Sequence, residues 1–201
     1  VRVSATGASK MSQISNAIKT IKKTGNNKII LMQCVTNYPA SFNNINLKVL
    51  NMFRKKFNCL VGYSDHTPGD IVATGTVAMG GCMIEKHFTD NKKLPGPDHG
   101  FAMDPADFKK MTTKIQLMEK IIGKPVKKIY DEEKNQYFSM KRGIKSSQKL
   151  TKGQKLKRKH IKLLRPCLSN EISADNLKKI IGKKINTDLD ANIAIKKKMI
   201  Y

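Results

Sequence analysis

Two histidines stand at equivalent places in the sequence, each just after a short strand-like run. His66 follows the run Leu60–Tyr63, and His87 follows the run Cys82–Lys86. Neighbouring parallel strands lie about 4.8 Å apart, so imidazoles at their ends can converge on one ion. A lone histidine is more often a hydrogen-bonded structural residue, but two at matching strand ends favour a metal site. Imidazole and carboxylate ligands suit Mn²⁺, Fe²⁺ or Zn²⁺, with weaker Mg²⁺ binding.

Three carboxylates accompany these histidines in the sequence and strengthen the metal prediction: Asp65, Glu85 and Asp98. Asp98 stands in the loop Leu94–His99, which is rich in proline and glycine. Such residues form ordinary turns throughout proteins. The same composition also suits a rigid loop that braces Asp98 at the mouth of a site, and the loop alone does not decide between the two.

The elements that must position these residues alternate between strand and helix over the first 125 residues. Strands are predicted at 1–4, 28–34, 60–63 and 82–86, and helices at 11–24, 47–57, 70–80 and 104–123. The strands read as continuous apolar runs, as in buried parallel sheets. The helices carry apolar residues at three- and four-residue spacing. This order predicts an α/β fold with a parallel sheet covered by helices.

Polar segments follow the C-terminal end of each predicted strand: SATG at 4–7, TNYP at 36–39, YSDHT at 63–67 and EKHFT at 85–89. Four strand–helix units form either part of an open sheet or half of a (β/α)₈ barrel. Polar side chains gathered at one rim are typical of the barrel. We therefore predict a partial TIM barrel over residues 1–125, a linker over 126–137 and a small α+β domain over 138–201.

The second domain shows shorter and weaker patterns. Strand-like pieces are predicted at 138–144, 160–165, 182–185 and 193–195, with a short helix at 173–181. Ser173 is a residue type that caps helix N-termini.

The net charge of +24 points first to a nucleic-acid partner. However, only five of the 39 basic residues are arginine, aromatic residues make up 6%, and tryptophan is absent. Nucleic-acid sites favour arginine forks and aromatic stacking platforms, so we expect no nucleic-acid partner. A basic surface of this kind would still attract anionic substrates such as phosphates.

No apolar run approaches the length of a membrane span, so we expect no membrane partner. The four cysteines are widely spaced and contain no C-x-x-C pair: Cys34, Cys59, Cys82 and Cys167. This spacing predicts reduced, structural thiols in a cytoplasmic protein.

Four segments, in order, carry a resemblance to a known family: CVTNYPASFNNINL, GYSDHTPG, IEKHFT and LPGPDH. They closely resemble the motifs of the sialic acid (nonulosonate) synthase family. The stretch GIKSSQKLTKGQKL resembles the antifreeze-like (SAF) domain that ends those enzymes, so the resemblance covers essentially the whole chain. It implies strands 5–8 of the family's (β/α)₈ TIM barrel, its C-terminal half, followed by a SAF domain. It also implies condensation of phosphoenolpyruvate with an N-acylated hexosamine, such as N-acetylmannosamine, giving a nine-carbon 2-keto sugar acid and phosphate.

The resemblance further implies roles for individual residues. His66 and His87 would hold a divalent metal, Mn²⁺ by preference, with Mg²⁺ or Co²⁺ also possible. Asp98 and Glu85 would be the catalytic carboxylates, with Asp98 touching the sugar. The residues implied to bind substrate are Thr6, Gly7, Thr36, Asn37, Tyr38, Ser64, Phe138 and Arg165. Of these, Arg165 would reach the sugar of the partner subunit in a domain-swapped type of homodimer.

The chain also departs from the family pattern. The resemblance places phosphate-gripping lysines and one catalytic glutamate on the family's first four strands, to which nothing in this sequence corresponds. Ala8 stands where the family usually has methionine. We therefore expect a fragment that is inactive alone, and the alternative is a non-catalytic remnant that retains carbohydrate binding or dimer contacts. The sequence does not distinguish sialic, legionaminic and pseudaminic acid synthesis.

Overall fold

The computed structural model describes residues 2–3 and 6–201, with side chains from Thr6 onward. The chain divides between Lys124 and Pro125 into two compact units, and each has its own hydrophobic core. Within the described residues, every helix is too short or too polar to cross a bilayer.

The first unit alternates strands and helices as the sequence predicts. In chain order they are β1 (Arg2–Val3), α1 (Met11–Lys23), β2 (Ile30–Cys34), α2 (Lys48–Phe57), β3 (Leu60–Asp65), α3 (Ile71–Ala78), β4 (Met83–Lys86) and α4 (Pro105–Ile122). Val1, Ser4 and Ala5, which belong to the predicted first strand and turn, lie outside the described residues.

The four strands form one parallel sheet in the order β1-β2-β3-β4, which confirms the predicted α/β class. The register aligns Cys34 with Ser64, and Ser64 with Glu85. These three side chains therefore form a row across the sheet on a single face, because side chains in a strand alternate between faces.

The opposite face of the sheet packs against the helices. Leu31, Val61 and Tyr63 lie on this face and join the apolar residues of α1, α2 and α3 in one buried cluster. The Tyr63 hydroxyl donates a hydrogen bond to the Ile45 carbonyl over 3.0 Å. Burial, with a smaller contribution from Asp65, raises the pKa of that hydroxyl well above its usual value, so it remains a donor.

Helix boundaries in this unit follow capping chemistry. Helix α2 ends at Asn58, which adopts a left-handed conformation with φ of 47°. Helix α4 begins where the Asp104 side chain accepts the backbone N–H of Asp107 over 2.8 Å, with Pro105 at the first helical position. It ends at Gly123, whose φ is 54°. These caps therefore fix the C-terminal end of α2 and both ends of α4.

The second unit contains α5 (Lys134–Met140), β5 (Gly143–Ser146), β6 (Ile161–Leu164) and α6 (Leu177–Ile180). Strands β5 and β6 pair in antiparallel fashion. The predicted helix at 173–181 is present as a 3₁₀ turn, Ala174–Asn176, that runs into α6. The most buried apolar side chains of this unit are Ile144, Leu150, Leu156, Ile185 and Ile195.

One secondary-structure prediction is wrong at the start of the unit. The segment predicted as a linker, 126–137, contains a 3₁₀ turn, Asp131–Glu133, and the first half of α5. The predicted strand 138–144 is helical up to Met140, and β5 starts only at Gly143. The acidic turn directly before α5 provides the reason, because negative charge at a helix N-terminus complements the helix dipole.

Two further predicted strands are also wrong. Residues 182–185 and 193–195 do not form ladders, and they pair through isolated bridges such as that between Lys145 and Ala194. Gly182 has a φ of 89°, which bends the backbone away from extended geometry at the start of the first segment. Ile185 and Ile195 are buried and Ile193 is exposed, and the backbone turns too often in both segments to continue a strand.

Candidate functional site

The candidate site lies at the carboxyl edge of the parallel sheet. Strands β2, β3 and β4 end there at Cys34, Asp65 and Lys86, and each is followed by a polar loop. Ligand sites of parallel α/β folds are found at this edge, because all strands deliver their following loops to it.

The two predicted metal ligands lie side by side at this edge. The ring centroids of His66 and His87 are 5.2 Å apart, and the ring planes meet at 80°. His66 Nδ1 lies 2.8 Å from the Val35 carbonyl oxygen. A carbonyl only accepts, so Nδ1 carries the proton and Nε2 of the neutral ring keeps its lone pair. Histidines that bind metals are typically oriented by such a bond on the other ring nitrogen.

Asp98 reaches the second histidine because the loop after β4 folds back on itself. The Met103 N–H bonds the His87 carbonyl and the Thr89 N–H bonds the Met103 carbonyl, each over 2.9 Å. His99 Nδ1 hydrogen-bonds the Thr89 hydroxyl over 2.7 Å. These hydrogen bonds join the two ends of the loop, and Asp98 within it lies with Oδ2 3.5 Å from His87 Nδ1.

Ser64 and Glu85 occupy the same face of the sheet as the histidines, two residues earlier on their strands. The Ser64 hydroxyl donates to Glu85 Oε1 over 2.8 Å. Ser64 is buried, and Glu85 is partly exposed. The structure therefore gathers one predicted substrate residue, one predicted catalytic carboxylate and both imidazoles on one face.

Asp65, by contrast, lies on the helix-packed face. Its carboxylate accepts from Lys86 Nζ over 2.8 Å, from the Thr67 N–H over 2.9 Å and from the Thr67 hydroxyl over 2.7 Å. The expectation that Asp65 supports the metal site is wrong, because strand alternation turns it away from His66. Among the described residues, no group of three or more His, Cys, Asp or Glu side chains is arranged to hold a metal.

Two aromatic rings pack against the imidazoles. The Tyr38 ring centroid lies 4.1 Å from that of His66 and 5.6 Å from that of His87. The Phe101 ring lies 5.0 Å from His87 and 6.1 Å from Tyr38. Tyr38 is 48% exposed, so these rings form an accessible aromatic wall beside the histidines.

The remaining predicted substrate residues of this unit also lie near the carboxyl edge. The buried Thr6 hydroxyl donates to the Met32 carbonyl over 2.6 Å. A β-carbon at Gly7 would lie 2.0 Å from Thr36 Oγ1, so only glycine allows this close approach. Thr36 and Asn37 are exposed, and the Asn37 side-chain amide donates a hydrogen bond to the Pro39 carbonyl.

Phe138 and Arg165 lie in the second unit, and both are exposed. The Cys167 N–H donates to the Phe138 carbonyl over 3.1 Å, so the structure brings the two predicted residues into one neighbourhood of that unit.

Two residues near the site were missed by the sequence analysis. Phe101 reaches His87 through the folded-back loop, and nothing in its local sequence indicates this. Lys86 stands in the polar strand-end segment EKHFT. Because side chains alternate along β4, its side chain lies on the face opposite to Glu85 and His87, and this alternation could have been used to identify it.

The residues present fit a divalent metal in the kind of nitrogen donor that they offer. Two adjacent imidazoles, one of them fixed by a carbonyl on its other nitrogen, suit first-row divalent ions, and a harder ion such as Mn²⁺ would also need oxygen ligands.

Comparisons with known proteins point to one family. The model of the NeuB family matches residues 2–127. The N,N'-diacetyllegionaminic acid synthase of Legionella pneumophila is 36% identical over 194 residues, which cover 94% of this chain and 54% of that protein. The chain thus spans about half the length of the curated relatives it matches.

Solved structures give similar results. The putative spore coat polysaccharide biosynthesis protein E of Chromobacterium violaceum matches with a TM-score of 0.74 over 100% of this chain and 60% of that one, and its 17% identity supports the fold alone. The N-acetylneuraminic acid synthetase of Leptospira borgpetersenii matches with a TM-score of 0.61 at 30% identity, over 68% of this chain and 47% of that one.

Proposed function

Because this chain belongs to the NeuB family of nonulosonate synthases, we propose that it carries the metal- and substrate-binding rim of a nonulosonic acid synthase. The reaction joins phosphoenolpyruvate to an N-acylated hexosamine and releases phosphate. In this proposal β1–β4 correspond to strands 5–8 of a (β/α)₈ barrel, and residues 138–201 to a SAF domain. The observation that carries it is the pair of adjacent imidazoles at the carboxyl edge.

His66 and His87 would hold the divalent metal, Mn²⁺ by preference, with Mg²⁺ or Co²⁺ as substitutes. Bound there, the metal would supply Lewis acidity to the aldehyde of the open-chain sugar. The Val35 carbonyl keeps the proton of His66 on Nδ1. The exposed Asp98 carboxylate, whose Oδ2 lies 3.5 Å from His87 Nδ1, would face the sugar.

The carbon–carbon bond forms when C3 of phosphoenolpyruvate attacks the aldehyde carbon, and the new alkoxide takes up a proton. This attack leaves positive charge at C2 of phosphoenolpyruvate, where water adds and loses a proton. The resulting tetrahedral hydroxy phosphate then expels phosphate, which takes the hydroxyl proton and leaves the 2-keto group. Glu85 is the carboxylate placed to receive the proton that the water loses, because it lies on the site face beside Ser64. The Ser64 hydroxyl, which donates to Glu85 in the structure, would donate its hydrogen bond to an anionic oxygen of the substrate when substrate is bound.

The other proposed contacts surround these groups. Thr6 and Gly7 line the phosphoenolpyruvate end, and Thr36, Asn37 and Tyr38 belong to the strand-end segment that meets substrate. The net charge of +24 favours the arrival of this anionic substrate. Arg165, with Phe138 beside it, reaches the sugar's N-acyl group in the partner subunit of a homodimer. All four cysteines are free thiols, which agrees with a cytoplasmic site of action.

Mn²⁺ titration of the full chain tests the metal site directly, with the electron paramagnetic resonance signal of free Mn²⁺ as the readout. We expect one bound ion, and His66→Ala or His87→Ala should weaken binding more than tenfold. The matched control is His160→Asn in the second unit, which should leave Mn²⁺ binding unchanged. Equal binding by all four proteins would contradict the proposal.

Phosphate release tests the reaction. We propose that the 201-residue chain alone does not turn over, and that a chimera joining it to the N-terminal half of the Legionella pneumophila relative does. The assay supplies phosphoenolpyruvate with N-acetylated or N,N'-diacetylated hexosamines, and the preferred sugar identifies the acid made. Sugar binding by a folded chimera without phosphate release would favour the non-catalytic, carbohydrate-binding alternative.

A further inference from the structure

A buried ion pair lies directly behind the two histidines, on the helix-packed face of the sheet. Lys86 Nζ is 2.8 Å from Asp65 Oδ2, and the side chains are 2% and 0% exposed. Lys86 Nζ also donates to the Thr67 carbonyl. Asp65 Oδ1 accepts from both the N–H and the hydroxyl of Thr67. We name Asp65, Thr67 and Lys86 the buried clamp.

The clamp joins the two segments that carry the imidazoles. Asp65 and Thr67 flank His66 on both sides, and Lys86 directly precedes His87. Asp65 and Lys86 are also the last aligned pair of the β3–β4 ladder. Beyond that pair the strands separate into loops, so the side-chain bonds of Lys86 continue the connection where the ladder ends.

Burying two charged side chains in this position costs free energy. Two buried ions lose their hydration, and a well-packed apolar pair of similar volume is often as stable or more stable. The neighbouring positions on the same face, Tyr63 and Ile84, are filled by large side chains of the apolar core. Core stability alone therefore does not account for a lysine and an aspartate here, whereas fixed polar geometry next to the histidines does.

We propose that the buried clamp is a positioning device that sets the separation of His66 and His87, and thereby the affinity of the site for a divalent metal. This inference rests on the proposed metal site. Residues behind metal ligands commonly change metal affinity 10- to 100-fold when replaced. Neither Asp65 nor Lys86 touches the metal in this scheme, since both act through the backbone of the adjacent histidine.

The test is the Mn²⁺ titration described above, applied to the full chain with the double substitution Asp65→Asn/Lys86→Met. We expect its dissociation constant for Mn²⁺ to rise about tenfold or more. The matched control is Asp70→Asn/Lys114→Met, which neutralises an exposed lysine–aspartate pair 2.7 Å apart. Both double variants keep the net charge of the protein. A difference in Mn²⁺ affinity between them therefore cannot come from a change in the general electrostatic attraction for cations.

Circular dichroism verifies that each variant is folded. A folded Asp65→Asn/Lys86→Met protein with wild-type Mn²⁺ affinity would overturn the clamp and leave the metal site standing. If that variant does not fold, Lys86→Arg retains the charge with a longer, planar group, and we expect a several-fold weaker Mn²⁺ affinity. Unchanged affinity in Lys86→Arg would then overturn the clamp. A wild-type chain without His87-dependent Mn²⁺ binding would overturn both the metal site and the clamp.

Discussion

The two faces of the first unit's sheet use adjacent residues of the same strands for opposite purposes. On one face, Ser64 and Glu85 bond each other two residues before the histidines, which contact the aromatic wall. On the other, Asp65 and Lys86 satisfy each other within the protein. A shift of one residue along a strand thus separates the proposed site residues Ser64 and Glu85 from a buried ion pair within the protein. Polarity at a strand end is therefore insufficient to identify a catalytic group.

The largest expected difference between the faces is in stability. Asp65→Ala leaves the buried Lys86 charge without its carboxylate, and we expect a loss of about 3–5 kcal/mol in the free energy of unfolding. Ser64→Ala, one residue away, removes one hydrogen bond and should cost about 1 kcal/mol. Urea unfolding followed by amide NMR signals of β3 measures both, and equal losses would contradict the assignment of faces.

The next effect concerns the close approach at the edge of the site face. Gly7→Ala places a β-carbon 2.0 Å from Thr36 Oγ1, so we expect a loss of about 1–3 kcal/mol as the loop shifts. Gly100→Ala is the matched control, because nothing lies within 4 Å of a β-carbon there. Thermal unfolding of the two variants compares them, and similar melting temperatures would argue against a fixed Gly7–Thr36 contact.

A smaller effect is expected for the aromatic wall. Tyr38→Ala removes a half-exposed ring that packs on His66, and we expect a loss of about 0.5–1.5 kcal/mol. Tyr38→Phe keeps the ring and should match the wild type in stability. If the ring serves the sugar, Tyr38→Ala in the active chimera should raise the sugar KM more than the phosphoenolpyruvate KM. A larger rise in the phosphoenolpyruvate KM would indicate that Tyr38 contacts phosphoenolpyruvate and not the sugar.

The smallest effect belongs to an exposed pair that contrasts with the buried clamp. The hydrogen bond from Lys92 holds the pKa of the Asp107 carboxyl below its usual value. A depressed carboxyl pKa stabilises the folded state above the unfolded pKa, and this stabilisation is lost as pH falls through the folded pKa. We expect Lys92→Met to raise the Asp107 pKa, as seen by NMR titration, with little change in stability because solvent and salt screen the pair.

The sequence was most informative where local pattern and tertiary role agree. Continuous apolar runs marked the strands of the first unit, and matching strand ends placed His66 and His87 together as the structure shows. The prediction of β3 stopped at Tyr63, whereas the strand continues to Asp65. With those two residues included, alternation assigns Asp65 to the helix-packed face, so the error followed from the strand boundary.

Other features could not be predicted because they depend on distant contacts. Phe101 reaches His87 only through a loop whose closure requires Met103 to bond the chain beside β4. The helix α5 contains Tyr137 and Phe138, which favour strands by intrinsic preference. An acidic turn before it and the Lys141 amine over the Tyr137 ring, 4.0 Å from its centroid, favour helix instead.

The closed base of the loop after β4 has a consequence for how the protein can vary. Because Met103 bonds the backbone on both sides of Phe88, the segment between Asp90 and Asp98 begins and ends at a fixed place and is exposed throughout. Insertions, deletions and substitutions in that segment leave the ends of β4 and α4 unchanged, since exposed loop tips tolerate change. In the proposed synthase, selection for a different sugar could therefore act on residues 91–97 while Asp98 and the imidazoles keep their geometry, so that specificity and metal binding would evolve separately.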